Sequence, residues 1–301
     1  MKIYFQNSEN ASGKQKPEQF ESSTDHMAYA FFKNPNVTMV TNEEDADYIV
    51  KHPDPEKIQT EPIYPNKEII VDYFDSDDLP CDTNCIMSRK PFLYFKRSCV
   101  DKTVTPYQFK DYDMPYIPLT YGIKECNLRN LPKENQVRDI DVSCFFNVND
   151  WAGYNRSVVS RTVSNFSASH SEYDIRVGRV GSGYTYEQNK NYFDQIKNSK
   201  IVVSCNPDGW EGDFRLFEAL AGGALVFVDT MLVPKARGLK HKEHLIYYDN
   251  LVELEELLTY YIVNKEEAAE IAKNGHDEAV KNFTYDSNCK MIIEEIKKKS
   301  V

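Results

Sequence analysis

The chain has 301 residues, room for two α/β domains of about 100–200 residues each. Apolar residues make up 41% and charged residues 28%, a balance that supports packed cores and excludes a largely disordered chain. Carboxylates outnumber Lys and Arg by 47 to 36, a formal charge of −11, so the surface as a whole repels nucleic-acid phosphates and no nucleic-acid partner is expected. Seven cysteines are scattered without zinc-ligand spacing, and only Cys81 and Cys85 are close. The start, MKIYFQNSEN, lacks an apolar signal segment, and no run approaches about 18 apolar residues. The expectation is reduced thiols, a cytoplasmic location and no membrane span.

Taken in chain order, Lys2–Gln6 reads as a strand and Asp25–Lys33 as a helix with Thr24 as its N-cap. Val37–Val40, Asp47–Val50, Glu68–Val71 and Phe92–Lys96 read as further strands. Long polar loops, Asn7–Ser23 and Asp75–Lys90, separate some of them, and such loops are often functional. Polar, turn-rich sequence across Pro118–Asp139 suggests a domain boundary, giving residues 1–130 and 131–301. In the second half, Asp141–Phe146, Asp174–Val180, Lys200–Cys205, Ala224–Asp229 and His244–Tyr248 read as strands. Ser157–Phe166, Asn189–Asn198 and Asp213–Ala221 read as the helices between them. Leu251–Val263, Lys265–Lys281 and Asp286–Lys299 close the chain as helices, the last expected to pack back onto the first domain. Strands alternating with helices predict an α/β fold of two Rossmann-like domains, each with a parallel sheet, around a ligand cleft.

The segment SKIVVSCNPDGWEGDFRLFEALAGGALVFVD, residues 199–229, concentrates the chemistry. A buried-type strand enters a glycine-containing turn and then a helix. Glu211, Arg215 and Glu218 follow i, i+4, i+7 and share one stripe, while Phe214, Phe217 and Ala221 share another suited to burial. A helix N-terminus attracts anions, and Arg215 offers a planar fork of donors that fits a diphosphate. Glu218, one turn deeper, is placed to accept ribose hydroxyls. Gly209 and Gly212 let backbone approach a ligand closely. The same spacing also fits an intrahelical ion pair on a solvated face.

This segment resembles the donor-site signature of GT-B-fold glycosyltransferases, in particular the exostosin-like and group-1-like branches. The resemblance rests on Ser199-Lys200, Asn206-Pro207, the Arg215–Ala219 run, Ala221–Gly223 and the Ala224–Asp229 strand. It extends less sharply from about Asp139 to the C-terminus. Phe92–Ser98 and Tyr121-Gly122-Ile123 also resemble N-domain elements of related enzymes, including those of large algal DNA viruses. The resemblance implies transfer of a sugar from a nucleotide diphosphate donor, UDP ahead of GDP, to a glycan hydroxyl. It implies a donor site formed by Asn206, Asp208, Gly212, Asp213, Arg215 and Glu218, with Asn147 and Arg156 as further contributors. Retaining enzymes of this fold carry two glutamates with seven residues between them, whereas Glu211 and Glu218 have six between them, so inversion is expected.

Inversion needs a base from the first domain. Asp72, at the end of its strand, ranks first and His26 second. Asp75 and Arg97 are candidates for acceptor or phosphate contact. Asp75-Ser76-Asp77 matches a metal-binding Asp-x-Asp by letter only, and a helix dipole with Arg215 can neutralise a diphosphate, so no obligatory metal or other cofactor is expected. Two alternatives remain open. One is a nucleotide- or carbohydrate-binding module without catalysis. The other is a different Rossmann-type enzyme, such as a methyltransferase or dehydrogenase, which the absence of Gly-x-Gly-x-x-Gly after the first strand disfavours.

Overall fold

A computed structural model of the chain describes residues 1–6, 16–53, 64, 66–73, 91–97, 117–133, 136–148, 153–180, 185–206, 212–230 and 238–300. The chain divides into two compact units, one built mainly from Met1–Gly122 and Tyr285–Val301, the other from Ile123–Met231 and Lys235–Thr284.

The first unit holds β1 (Lys2–Phe5), α1 (Ser23–Lys33), β2 (Thr38–Met39), β3 (Tyr48–Lys51), β4 (Glu68–Asp72), β5 (Leu93–Lys96) and β6 (Ile117–Pro118). Its sheet runs β2-β1-β3-β4-β5-β6, with every pairing parallel. All five residues of β4 and all four of β5 are buried, which is why Ile69–Val71 and Leu93–Phe95 read as unbroken apolar runs. The helix that ends the chain (Tyr285–Lys299) lies against α1, and its Cys289, Ile292, Ile293 and Ile296 join Ile3, Phe31 and Val50 in one core. Lys33 bridges to Asp286 at 3.0 Å. The cap of α1 is Ser22 rather than Thr24. Ser22 Oγ accepts from Asp25 N at 3.1 Å, and Asp25 Oδ2 accepts from Ser22 N at 3.3 Å. That reciprocal box satisfies two orphan amides, where Thr24 would satisfy one.

The second unit opens with a short α2 (Glu125–Leu128). There follow β7 (Ile140–Phe145), α3 (Gly153–Ser169), β8 (Ile175–Gly178), α4 (Tyr186–Lys197), β9 (Ser199–Val203), α5 (Phe214–Ala221), β10 (Leu225–Asp229), β11 (Ile246–Tyr248), α6 (Leu251–Val263) and α7 (Lys265–Asn282). The terminal helix of the first unit is then α8. The sheet runs β11-β10-β9-β7-β8, again parallel throughout. α4 starts earlier than its apolar pattern suggests because Thr185 and Gln188 form a capping box ahead of it. β6 and α2 fall where the sequence suggested only a linker, since two and four residues show no period to detect.

In both sheets the strand order reverses once, between β1 and β3 and between β7 and β9. At such a reversal the two flanking connections leave toward opposite faces. A crevice opens at the carboxyl ends of the strands, where sheets of this kind bind ligands.

The turn after α5 sets where β10 begins. Gly223 adopts φ +69°, and a Cβ there would lie 2.7 Å from Arg138 Nη2. Arg138 in turn donates to Gly222 O at 2.9 Å and to Lys197 O at 2.7 Å. Gly223→Ala is expected to cost at least about 1–2 kcal/mol from the left-handed backbone alone. A urea-unfolding midpoint equal to that of the wild type would show that the turn relaxes at no cost.

Candidate active site

The carboxyl ends of β7 and β9 carry the residues that the sequence singled out. β9 leaves the sheet at Val203 and runs through Ser204-Cys205-Asn206. Asn206 is pinned from β10, for Asp229 Oδ1 accepts its backbone N at 2.8 Å and its Nδ2 at 3.0 Å. Asn206 Oδ1 accepts from Gly212 N at 3.1 Å and Asp213 N at 3.3 Å. Asn206 therefore ties the end of β9 to the start of α5 and holds Asp213 there. Gly212 takes φ +73° at the turn, a conformation glycine adopts freely.

Asp213 is the N-cap of α5, with Oδ1 accepting from Arg215 N at 3.1 Å. Its Oδ2 accepts from Arg215 Nη1 at 2.8 Å and from Arg156 Nη2. Burial alone would raise the Asp213 pKa, but the guanidiniums of Arg215 and Arg156 outweigh it and hold the group below the usual carboxylate range. Arg156, on α3, is fully buried. Its Nε donates to Cys205 O at 2.9 Å, and its guanidinium lies 5.5 Å from the Phe146 ring centre. Its Nη1 is buried without a hydrogen-bond partner. Arg215 is more open, with its guanidinium 4.7 Å from the Phe214 ring centre, and burial does not overcome the hold of Asp213, which raises its pKa.

Glu218 lies one turn into α5. Oε1 accepts from Asn127 Nδ2 at 3.4 Å and meets Lys124 Nζ at 3.7 Å. Oε2 is buried without a partner. Burial raises its pKa, against the opposing pull of Lys124 and Arg215. The stripe on α5 is thus not a solvated face. Glu218 is 7% exposed and Asp213 is 1% exposed, and the arginine pairs with Asp213 at the cap. Tyr192 of α4 adjoins the group. Burial, and then the charge of Glu218, pushes its phenol well above the usual tyrosine range, with Arg215, Asp213 and Arg156 also acting on it. Two thiols, Cys144 of β7 and Cys205, are buried beside Arg156, and burial pushes both far above the usual thiol range. Asn147, half-buried, follows the end of β7 at the same edge.

Lys124, Asn127, Tyr192 and Asp229 were not singled out in the sequence. The first two ride on a one-turn helix without periodicity. Asp229 alone left a trace, as the acid closing an apolar strand. Asp208 and Glu211 lie outside the described residues, as does Asp75.

Asp72, His26 and Arg97 belong to the first unit. Asp72 ends β4, but it is 0% exposed, and its Oδ2 accepts from Tyr94 Oη at 2.5 Å and Lys96 Nζ at 3.3 Å. A carboxylate held in this way is a fixed counter-ion for Lys96. His26, on the first turn of α1, is also buried, stacked on Tyr285 at 5.2 Å and edge-on to Phe20 at 5.1 Å. Arg97 follows β5, donates from Nε to Tyr73 O at 3.3 Å and lies over the Tyr121 ring at 4.5 Å.

Two parallel sheets, each with a single reversal, are the architecture of the GT-B fold. Solved structures agree on the fold. HepE from Anabaena, in complex with UDP and glucose, aligns with a TM-score of 0.52 at 9% identity, over 99% of this chain and 100% of that one. An α-glucosyltransferase in complex with UDP-glucose and DNA containing an abasic site aligns at 0.57 with 10% identity, over 98% of each chain. Sucrose-phosphate synthase from Thermosynechococcus elongatus aligns at 0.54 with 11% identity, over 85% of this chain and 74% of that one. Residues 161–294 match the family model described as glycosyl transferase-like. Residues 161–294, most of the second unit, thus form a glycosyl transferase-like domain. No curated protein matches it by sequence. Among the described residues no helix is long and apolar enough to cross a membrane.

Asp213→Ala would leave Arg156 buried without its counter-ion and is expected to cost about 3–5 kcal/mol. Because folding lowers the Asp213 pKa, its contribution is complete above the unfolded value and is lost as pH falls through the folded value. The wild type should therefore lose stability on acidification below about pH 4 by more than the variant does. Urea titrations of both proteins from pH 6 to pH 3 measure this, and parallel curves would show that the ion pair adds nothing.

Proposed function

We propose that the protein transfers a sugar from a UDP-linked donor to a hydroxyl of a glycan, with inversion at the anomeric carbon and without an obligatory metal. One observation carries the reading. Arg156 Nη1, a donor, and Glu218 Oε2, an acceptor, are buried and unpartnered within one cluster at the reversal of the second sheet. An unsatisfied buried polar group costs about 1–3 kcal/mol, more when charged. A ligand bearing both anionic oxygens and hydroxyls removes both costs at once, and a nucleoside diphosphate is such a ligand. Arg215 and the positive end of α5 meet the diphosphate, Arg156 Nη1 adds a donor, and Glu218 Oε2 accepts from the ribose. The UDP and UDP-glucose held by HepE and the α-glucosyltransferase support the choice of donor.

During transfer, charge develops on the leaving diphosphate. Arg215, already fixed by Asp213, offers preorganised positive charge there, the arrangement that lowers such barriers most. Asp213 is committed to two cations, and Glu218 is committed to the donor, so neither takes the acceptor's proton. Asp72 is enclosed by Lys96 and Tyr94. The base is assigned to the first unit, where Asp72 and His26, both buried, are the candidates.

Arg215→Ala and Glu218→Ala should each weaken UDP binding by about 1.5–3 kcal/mol, roughly ten- to hundredfold, with the fold intact. Since Glu218 titrates above its usual value, wild-type affinity should already fall in mildly acidic buffer, and Glu218→Gln should remove that dependence. Calorimetry with circular dichroism decides, and wild-type affinity in both alanine variants would put the donor elsewhere.

Turnover should persist in excess EDTA, and the product should carry the anomeric configuration opposite to the donor's. Proton NMR of the anomeric coupling, recorded on an EDTA-treated reaction, tests both. Activity restored only by manganese would assign a metal to the site, and a retained configuration would remove the case for a base.

A further inference from the structure

The amino-terminal edge of the second sheet, opposite the site above, carries a groove of about 730 Å³. Ligand pockets for small molecules span roughly 300–1,000 Å³. The floor is apolar, with Ile201, Tyr261, Ile262, Ala268 and Ala272 all buried beneath it. The rim is cationic, carrying Lys133, Arg138, Lys200, Lys265 and Lys273. Two carboxylates share the lining, and each is already matched. Asp141 meets Lys200 and Asp277 meets Lys273, both at 2.6 Å. Among the described residues no carboxylate pairs with Lys133 or Lys265. A surplus of positive charge gathered over an apolar floor runs against the trend of a chain with a formal charge of −11.

Two residues of the groove reach the carboxyl end of α5. Arg138 donates to Gly222 O, and His276 Nδ1 bonds to Ala221 O at 2.9 Å and Leu220 O at 3.3 Å. These are the last carbonyls of α5, whose first turns carry Arg215 and Glu218. Both residues line the groove, so an anion that draws on their charge also changes their hold on α5.

We propose that the groove is a second ligand site, for an organic phosphate with an apolar body, and that its occupancy alters nucleotide affinity through Arg138, His276 and α5. The apolar floor takes the body and the lysine rim takes the phosphate. The coupling rests on the donor-site reading given above, but binding in the groove does not. By linkage, whatever factor the groove ligand applies to UDP affinity, UDP applies in return.

Octyl phosphate, kept below its micelle concentration, serves as the probe, with 1-octanol and inorganic phosphate as controls. Calorimetry on the full chain should show one octyl phosphate bound, more tightly than either control. Lys133→Gln combined with Lys265→Gln changes only exposed side chains and should weaken binding at least about fivefold. Ala269→Trp, at an exposed position on the groove wall, should block it. Arg215→Ala should bind octyl phosphate as the wild type does. Saturating octyl phosphate should shift the UDP dissociation constant by about five- to 150-fold in the wild type and not in Ala269→Trp. Absent binding, or equal binding of octyl phosphate in all variants, overturns the site. Equal binding of 1-octanol or of inorganic phosphate overturns the ligand class. An unmoved UDP constant with octyl phosphate bound overturns the coupling. Unimpaired UDP binding by Arg215→Ala would defeat the donor reading and leave the groove standing.

Discussion

The buried charge triad around Asp213 is the constraint on which the second unit's chemistry depends. Arg156 comes from α3, Arg215 from α5, and Asp213 from the loop that leaves β9. Two guanidiniums brought this close repel one another, and burying either alone costs several kcal/mol. One carboxylate between them makes the arrangement tolerable and also fixes where each fork can point. Asp213 is in turn held by Asn206, and Asn206 is held by Asp229. A chain of short polar contacts thus runs from Asp229 at the end of β10, through Asn206 and Asp213, to the two arginines.

α5 is held at both ends. Its first turn is capped by Asp213, and its last carbonyls are taken by Arg138 and His276. Between them the helix buries Leu216, Phe217, Leu220 and Ala221 against its own unit. Binding groups work when their supporting contacts keep them within a fraction of an ångström of the productive geometry. A helix of eight residues has little stiffness of its own, and these contacts provide it.

The sequence made the parallel strands legible because strands buried on both faces leave unbroken apolar runs, as in Ile201–Val203 and Leu225–Val228. α5 was legible through its Arg215–Ala219 pattern and the two glycines behind it. Side-chain partnership was not legible. Asp72 reads as a strand-end acid on a ligand-facing edge, yet its partners Tyr94 and Lys96 sit on the neighbouring strand, and register across a sheet is not written in spacing along one strand. Glu218 fits a solvated stripe by period. Its burial comes from α2, a single turn that no periodicity announces. Arg156 fell just ahead of the predicted Ser157–Phe166 helix and could not be matched to Asp213, because 56 residues of intervening chain hide the contact.

The thiols of Cys144 and Cys205 sit under this cluster, and burial keeps them protonated far above neutral pH. A protonated, enclosed thiol does not attack electrophiles. Alkylation at these two positions therefore waits for the strand ends to part. If parting is rare and reclosing fast, the labelling rate measures the free energy of that local opening, separately from unfolding of the whole chain. A ligand that bridges Arg156 and Glu218 would have to leave first. The two cysteines thus give the sheet an intrinsic chemical clock, slowed by whatever occupies the crevice above them.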